Sequence, residues 1–273
     1  MTLVVSEISK YGIVMVGDSA ITYSRAGIPV GVGEGAAKVQ YSDKANIGFA
    51  IWGNAVVQGR QLDTWLKDFI DSTIVDKEDI ESVGQRLALQ LRTELEKEHK
   101  PWNELVFGIH CAGYKNDLPR LWHIHCGHNN EHPHEPRLFH DYPEDQNWTE
   151  SYYRALFFPP GGGGTASAHL RNGYSPHYAL LFKSMVDYVN DLRQSMGITL
   201  PADSLEGQLS FQKLLVRFVA GVLVAAGEHP GVNDKLSSIS FNKSGLVSDE
   251  RFPIVDWINS TPSSLLSTSQ IWL

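Results

Sequence analysis

Three groups of residues carry side chains that could do chemistry. One is a set of zinc-type ligands, His110, Cys111, His123, His125, Cys126, His128, His132 and His134. Strand alternation would put His123 and His125 on one face, where they could chelate. No Cys-x-x-Cys or His-Glu-x-x-His supports the pair, so a polar strand edge running into a loop is the plainer reading. A second group is Gly161-Gly162-Gly163-Gly164-Thr165. A phosphate-cradling loop needs a lysine after its glycines, and here there is none. The third group is spread along the chain: Thr2 directly after Met1, then Asp18-Ser19, Lys38, and Gly53 following Ile51-Trp52. Singly, each is ordinary. Gly-Asp-Ser at a strand end is usually a turn, because Asp and Ser bond their own backbone there. Lys38 alone would be a solvated surface charge. A threonine hydroxyl is a weak nucleophile that needs a base beside it.

The elements that must position these residues are legible from periodicity. Leu3-Val4-Val5, Gly12 to Gly17, Ala37 to Tyr41 and Ile47 to Trp52 are short β-branched or aromatic runs bounded by turn residues. Several are apolar at consecutive positions, as strands covered on both faces are. A glycine-rich loop spans 27–36 between two of them. The period then changes. Leu62, Trp65, Leu66, Phe69 and Ile70, and after them Ile80, Val83, Leu87, Leu91 and Leu95, recur at helical spacing.

Strands return at 105–114 and 118–126, around a Lys115-Asn116-Asp117 turn. Facing Tyr114 with Leu118 would set Cys111 opposite Leu121 and turn the two cysteines to opposite faces. Residues 127–160, rich in His, Pro, Asn, Asp and Glu, read as a surface insertion. Ser175-Pro176 starts a helix running to about Gly197. Asp203-Ser204-Leu205-Glu206 is a capping box for another that ends near Gly227. Leu236 to Phe241 and Gly245 to Ile254 form a last strand pair before a Ser-rich extension, 254–273.

Strands, two helices, strands, two helices, strands: this grouping argues against a doubly wound parallel sheet. The arrangement that buries every apolar run is an α+β four-layer αββα sandwich, one domain over 1–273. The net charge of -8 gives nucleic acid or an anionic membrane nothing to hold. The apolar run Leu214 to Ala226 is broken by Arg217 and is short for a bilayer. With no signal-peptide pattern and two cysteines, a reducing cytoplasmic setting is expected.

Within that architecture, Thr2-Leu3-Val4-Val5, Gly17-Asp18-Ser19-Ala20-Ile21-Thr22, Lys38-Val39 and Ile51-Trp52-Gly53-Asn54 resemble the catalytic half of proteasome β-type subunits and their bacterial relatives. The likeness is specific over roughly the first 55 residues and follows element order beyond them. It implies an N-terminal-nucleophile hydrolase acting on peptide or other amide bonds. Thr2 would be the nucleophile once Met1 is removed, and its own α-amine, ordinarily of pKa ~8, would be the base. Asp18 and Lys38 would tune that amine, and Gly53 would hold the oxyanion through its N–H. Ser19, with Thr165 or Ser167, would be auxiliary, and Thr22 would meet the substrate backbone. The family's Asp and Ser before the last long strand have no evident counterpart in 227–234. The resemblance further implies a homo-oligomer, ring-like as in relatives, with no metal or organic cofactor, and allows an ATP-dependent unfoldase as partner. A non-catalytic scaffold of the same fold and a His-rich metal-binding module are the alternatives.

Overall fold

The computed structural model describes residues 3–9, 11–25, 28–53, 56–97, 107–125, 137–142, 167–173, 204–226, 231–260 and 270–272, with scattered positions between 184 and 196. In chain order, the first half supplies β1 (Leu3–Ser9), β2 (Gly12–Asp18), β3 (Ala20–Arg25), β4 (Ile28–Glu34), β5 (Val39–Ser42), β6 (Ile47–Gly53), β7 (Val56–Val57), β8 (Arg60–Gln61), α1 (Leu62–Thr73) and α2 (Ile80–Glu96). The second supplies β9 (Phe107–Lys115), β10 (Leu118–His125), β11 (Arg137–Tyr142), β12 (Ser167–Gly173), α3 (Leu205–Ala225), β13 (Leu236–Asn242), β14 (Gly245–Glu250), α4 (Trp257–Ser260) and β15 (Gln270–Trp272).

Two five-stranded antiparallel sheets form the middle layers, ordered β12-β1-β2-β13-β14 and β11-β10-β9-β6-β5. β1 shows why its residues are apolar almost without interruption. Leu3 and Val5 face α3, while Val4 and Ile8 face the other sheet, so both sides of the strand are covered. Between the sheets, Ile13, Met15, Ile239 and Phe241 pack with Val39, Ala50, Trp52 and Leu121. Outside the first sheet, Leu209, Val216, Val219 and Leu223 of α3 close the layer. Outside the second, Trp65, Leu66 and Phe69 of α1 and Leu87 and Leu91 of α2 cover Phe49, Ile51, Ile109 and Trp122. Gly48 lies where the facing sheet leaves no room for a side chain: a Cβ there would sit 2.6 Å from Met15 Sδ and 2.8 Å from a Phe241 ring carbon.

Several expectations change in detail. Most of the 27–36 stretch is not a loop, because residues 28–34 are β4, which pairs with β3, Ala20 facing Glu34. The β9–β10 turn is two residues long, so Leu118 faces Lys115 and Cys111 faces Trp122 rather than Leu121. The parity argument separating the two thiols rested on the other register and goes with it; Cys126 lies outside the described residues. β11, inside the expected insertion, pairs with β10. The Ser-rich extension holds α4 and also β15, which pairs with β3. α3 is 21 residues long, enough by length and composition to cross a membrane. Its packed face lies on β2 and β13.

Candidate active site

β2 ends on Asp18, whose carboxylate is completely buried and accepts hydrogen bonds at both oxygens. Oδ1 accepts from the Leu3 backbone N–H at 2.8 Å and from Lys38 Nζ at 2.9 Å. Oδ2 accepts from the Ala20 N–H at 3.0 Å. The β1–β2 ladder explains the first contact. Val4 faces Gly17, so the start of β1 is carried to the end of β2. Lys38 is as fully buried as its partner. A buried ion pair survives only when further hydrogen bonds offset the loss of water, and the two backbone N–H groups do that for Asp18. Burial pulls the Lys38 ammonium below the ordinary lysine range, and the Asp18 charge and hydrogen bond offset only part of that pull.

Lys38 reaches Asp18 because its own backbone is clamped. The Ser19 carbonyl accepts from Gly35 N–H at 3.1 Å and Ala36 N–H at 3.3 Å. Ala37 N–H donates to Asp63 Oδ2 at 3.2 Å, and Ile51 N–H donates to the Lys38 carbonyl at 2.9 Å. Asp63, buried in the first turn of α1, also accepts from Thr64 N–H at 2.8 Å and from the Trp257 indole at 3.2 Å. Gly17 leaves room for the lysine stem: a Cβ on it would sit 3.3 Å from Lys38 Cβ.

Ser19 is tied from the other side. Its N–H donates to the Lys235 carbonyl at 3.0 Å and to Asn233 Oδ1 at 3.1 Å, and Asn233 Nδ2 donates to Ser19 Oγ at 3.0 Å. Asn233 and Asp63 were missed in the sequence. Asn233 lies in the 227–234 stretch where a polar pair was sought, but only the fold shows that it meets Ser19. Asp63 carries no signal beyond an acidic residue in a first helical turn.

The remaining candidates divide. Gly53 closes β6 opposite Phe107 with φ +94°, a conformation a side chain would strain. Thr22, nearly fully buried in β3, faces Val32 on one side and Trp272 on the other. Ser167 faces Ser9, six positions along β1 from Leu3 and thus roughly 20 Å from it, so it is not beside the Asp18–Lys38 pair. Thr2 and Thr165 lie outside the described residues.

His123 is used inside the core. Its Nε2 accepts from the Trp52 indole N–H at 3.1 Å, and its ring meets that of His110 edge-on, centroids 5.2 Å apart. His110 Nδ1 is in turn 2.8 Å from Ser6 Oγ on the facing sheet. An Nε2 that accepts an N–H has its lone pair engaged, which removes it as a ready ligand. Among the described residues no three His, Cys, Asp or Glu side chains gather as a metal site. The side chain of His125 lies outside the description.

No known family profile matches the sequence, and no curated protein does. Solved structures match in fold. One is an Anbu mutant from Hyphomicrobium sp. strain MC1, with TM-score 0.52 and 10% identity over 95% of this chain and 92% of that one. Another is Anbu, an ancestral beta-subunit, from Yersinia bercovieri, with TM-score 0.52 and 10% identity over 93% and 87%. At that identity the likeness shows the fold alone, a proteasome-like αββα sandwich.

Proposed function

We propose that the chain is an amide-bond hydrolase, with peptides as the default substrate and Thr2 as nucleophile after Met1 is removed. The observation that carries this reading is Asp18 Oδ1, which accepts from Leu3 N–H and Lys38 Nζ together. Leu3 N is bonded to the carbonyl carbon of Thr2, so a fully buried ion pair ends one residue from a hydroxyl that needs a base.

The free α-amine would take the Thr2 hydroxyl proton while Oγ attacks the amide carbon. A cation nearby disfavours the ammonium form of that amine, which keeps it available as a base near neutral pH. Lys38 would be the cation, with Asp18 holding it in place. The Gly53 N–H would meet the developing oxyanion. The α-ammonium would then return its proton to the departing amine, leaving an ester on Thr2 Oγ. Water, deprotonated by the same amine, would hydrolyse that ester and restore the threonine. Ser19 would steady the turn through Asn233.

We also read the protein as a cytoplasmic homo-oligomer. Leu214, Phe218 and Val222 recur every fourth residue on the outer side of α3 and are 48%, 43% and 37% exposed. A second subunit would cover such a stripe.

The test is covalent labelling. An epoxyketone or boronate should add its mass at Thr2, and the Thr2→Ala variant should take up none and lose amidase activity. A chain lacking Met1 that takes up no label would refute the hydrolase and leave a scaffold. A retained Met1, seen as one extra methionine in the intact mass, blocks the base in that form.

A further inference from the structure

We infer that the chain's own strand β15 is the resident occupant of the outer edge of β3, the track on which the hydrolase proposed above would hold its substrate backbone at Thr22, and that it lies there in the direction of the acyl half of a substrate. That the track leads to a reacting centre rests on the hydrolase reading above; the occupancy itself does not.

β3 has two edges. One carries β4 and the other carries β15, so β15 is the outer strand of that small sheet. It pairs antiparallel, with Gln270 facing Ser24, Ile271 facing Tyr23 and Trp272 facing Thr22. Each step toward the C terminus therefore moves one position, about 3.3 Å, toward Ala20. The Ala20 N–H bonds Asp18 Oδ2, so β15 runs with its C-terminal end toward the Asp18–Lys38 pair. In amide hydrolysis the residues retained on the acyl-enzyme are those N-terminal to the broken bond. A peptide lying as β15 lies would deliver its acyl side toward the nucleophile.

Three residue pairs make a marginal strand. Their pairing is through the backbone and therefore tolerant of sequence, which is how sheet edges capture extended peptides. A short tether adds to that pairing. Trp257 in α4 is 2% exposed and bonds Asp63, and only residues 261–269 separate α4 from β15. A tether of that length gives a tail an effective concentration on the order of mM at its site. An external peptide must displace it, and its apparent affinity falls by the fraction of time the edge is open.

The probe is fluorescein-labelled Ser-Thr-Ser-Gln-Ile-Trp-Leu, the sequence of 267–273. Its binding is measured by anisotropy to the intact chain, to a chain ending at Ser269, and to a full-length Ile271→Pro/Trp272→Pro variant. The double proline removes two successive N–H donors, so one that faces β3 is lost in either register. Binding to both altered chains roughly tenfold tighter than to the intact chain is expected. Hydrogen exchange at residues 21–24 should be faster in them and slow again with peptide. Equal binding by all three chains, or unchanged exchange, would overturn the inference. Tighter peptide binding without any Thr2 adduct supports the occupancy and removes the hydrolase. A Thr2 adduct formed equally fast with equal peptide binding does the reverse.

Discussion

Replacing Lys38 by Met removes one member of a pair in which both side chains are fully buried and the bond is 2.9 Å. Asp18 keeps its Leu3 and Ala20 donors but becomes a carboxylate without its cation. Leaving one charge of a buried pair uncompensated costs about 3–5 kcal/mol. For a chain of this size, at about 2–4 °C per kcal/mol, Tm should fall by about 6–20 °C. Urea denaturation followed by circular dichroism gives the free energy directly. Asp18→Asn completes a double-mutant cycle, and the double variant should be less damaged than the sum of the singles by about 1–3 kcal/mol. The pH dependence has a defined sign. The folded pKa of Lys38 lies below the ordinary 10.5, so between the two values the unfolded chain binds more protons. Wild-type stability should then rise with pH as it approaches 10.5, and the Met variant should lack that rise. A Met variant within about 0.5 kcal/mol of wild type, additive with Asp18→Asn and with the same pH slope, would refute the buried-pair account.

Gly48→Ala should cost about 1–3 kcal/mol in thermal unfolding, because its Cβ would meet Met15, Phe241 and Ile239 atoms at 2.6–2.9 Å between the sheets. Ser204→Ala should cost about 1 kcal/mol, since Ser204 Oγ accepts the Gly207 N–H at 3.0 Å and caps α3. The Tyr41 phenol, buried and bonded to Asn46, is pushed up from 10.0 to about 12, with desolvation the main cause. Its contribution is full below pH 10 and should be lost between pH 10 and 12, a loss that Tyr41→Phe removes from the denaturation profile.

α1, α2 and α3 were legible because their apolar residues hold a 3.6 period and, for α3, because Ser204 announces the start; the helix expected from Ser175 to about Gly197 lies mostly outside the described residues. The β9–β10 register was missed by one residue for a local reason. Asn116 and Asp117 both take positive φ, 51° and 63°, which closes a two-residue turn and leaves Lys115 in the strand. The β3–β4 hairpin was hidden by its glycines, which lower strand propensity. At Gly33 the missing side chain leaves room for the Tyr23 hydroxyl, 3.0 Å from where a Cβ would stand. Of the site, the order Asp18 then Lys38 could be read along the chain. The supports could not, because Asp63 and Asn233 act through backbone groups that only the folded chain brings near.

The grip of the Ser19 carbonyl on Gly35 and Ala36 has a consequence for how sequences of this kind diverge. It pinches the chain shut at 19 and 35, like the neck of a bag, so the β3–β4 hairpin hangs outside the pinch. Residues can be added to or trimmed from the hairpin tip without dragging Lys38 along, at a closure cost that grows only logarithmically with length. The interval between aspartate and lysine can then change length without moving the point where the two meet. Fixed-spacing patterns will pass such chains by, and the pinch itself is the better signature to look for.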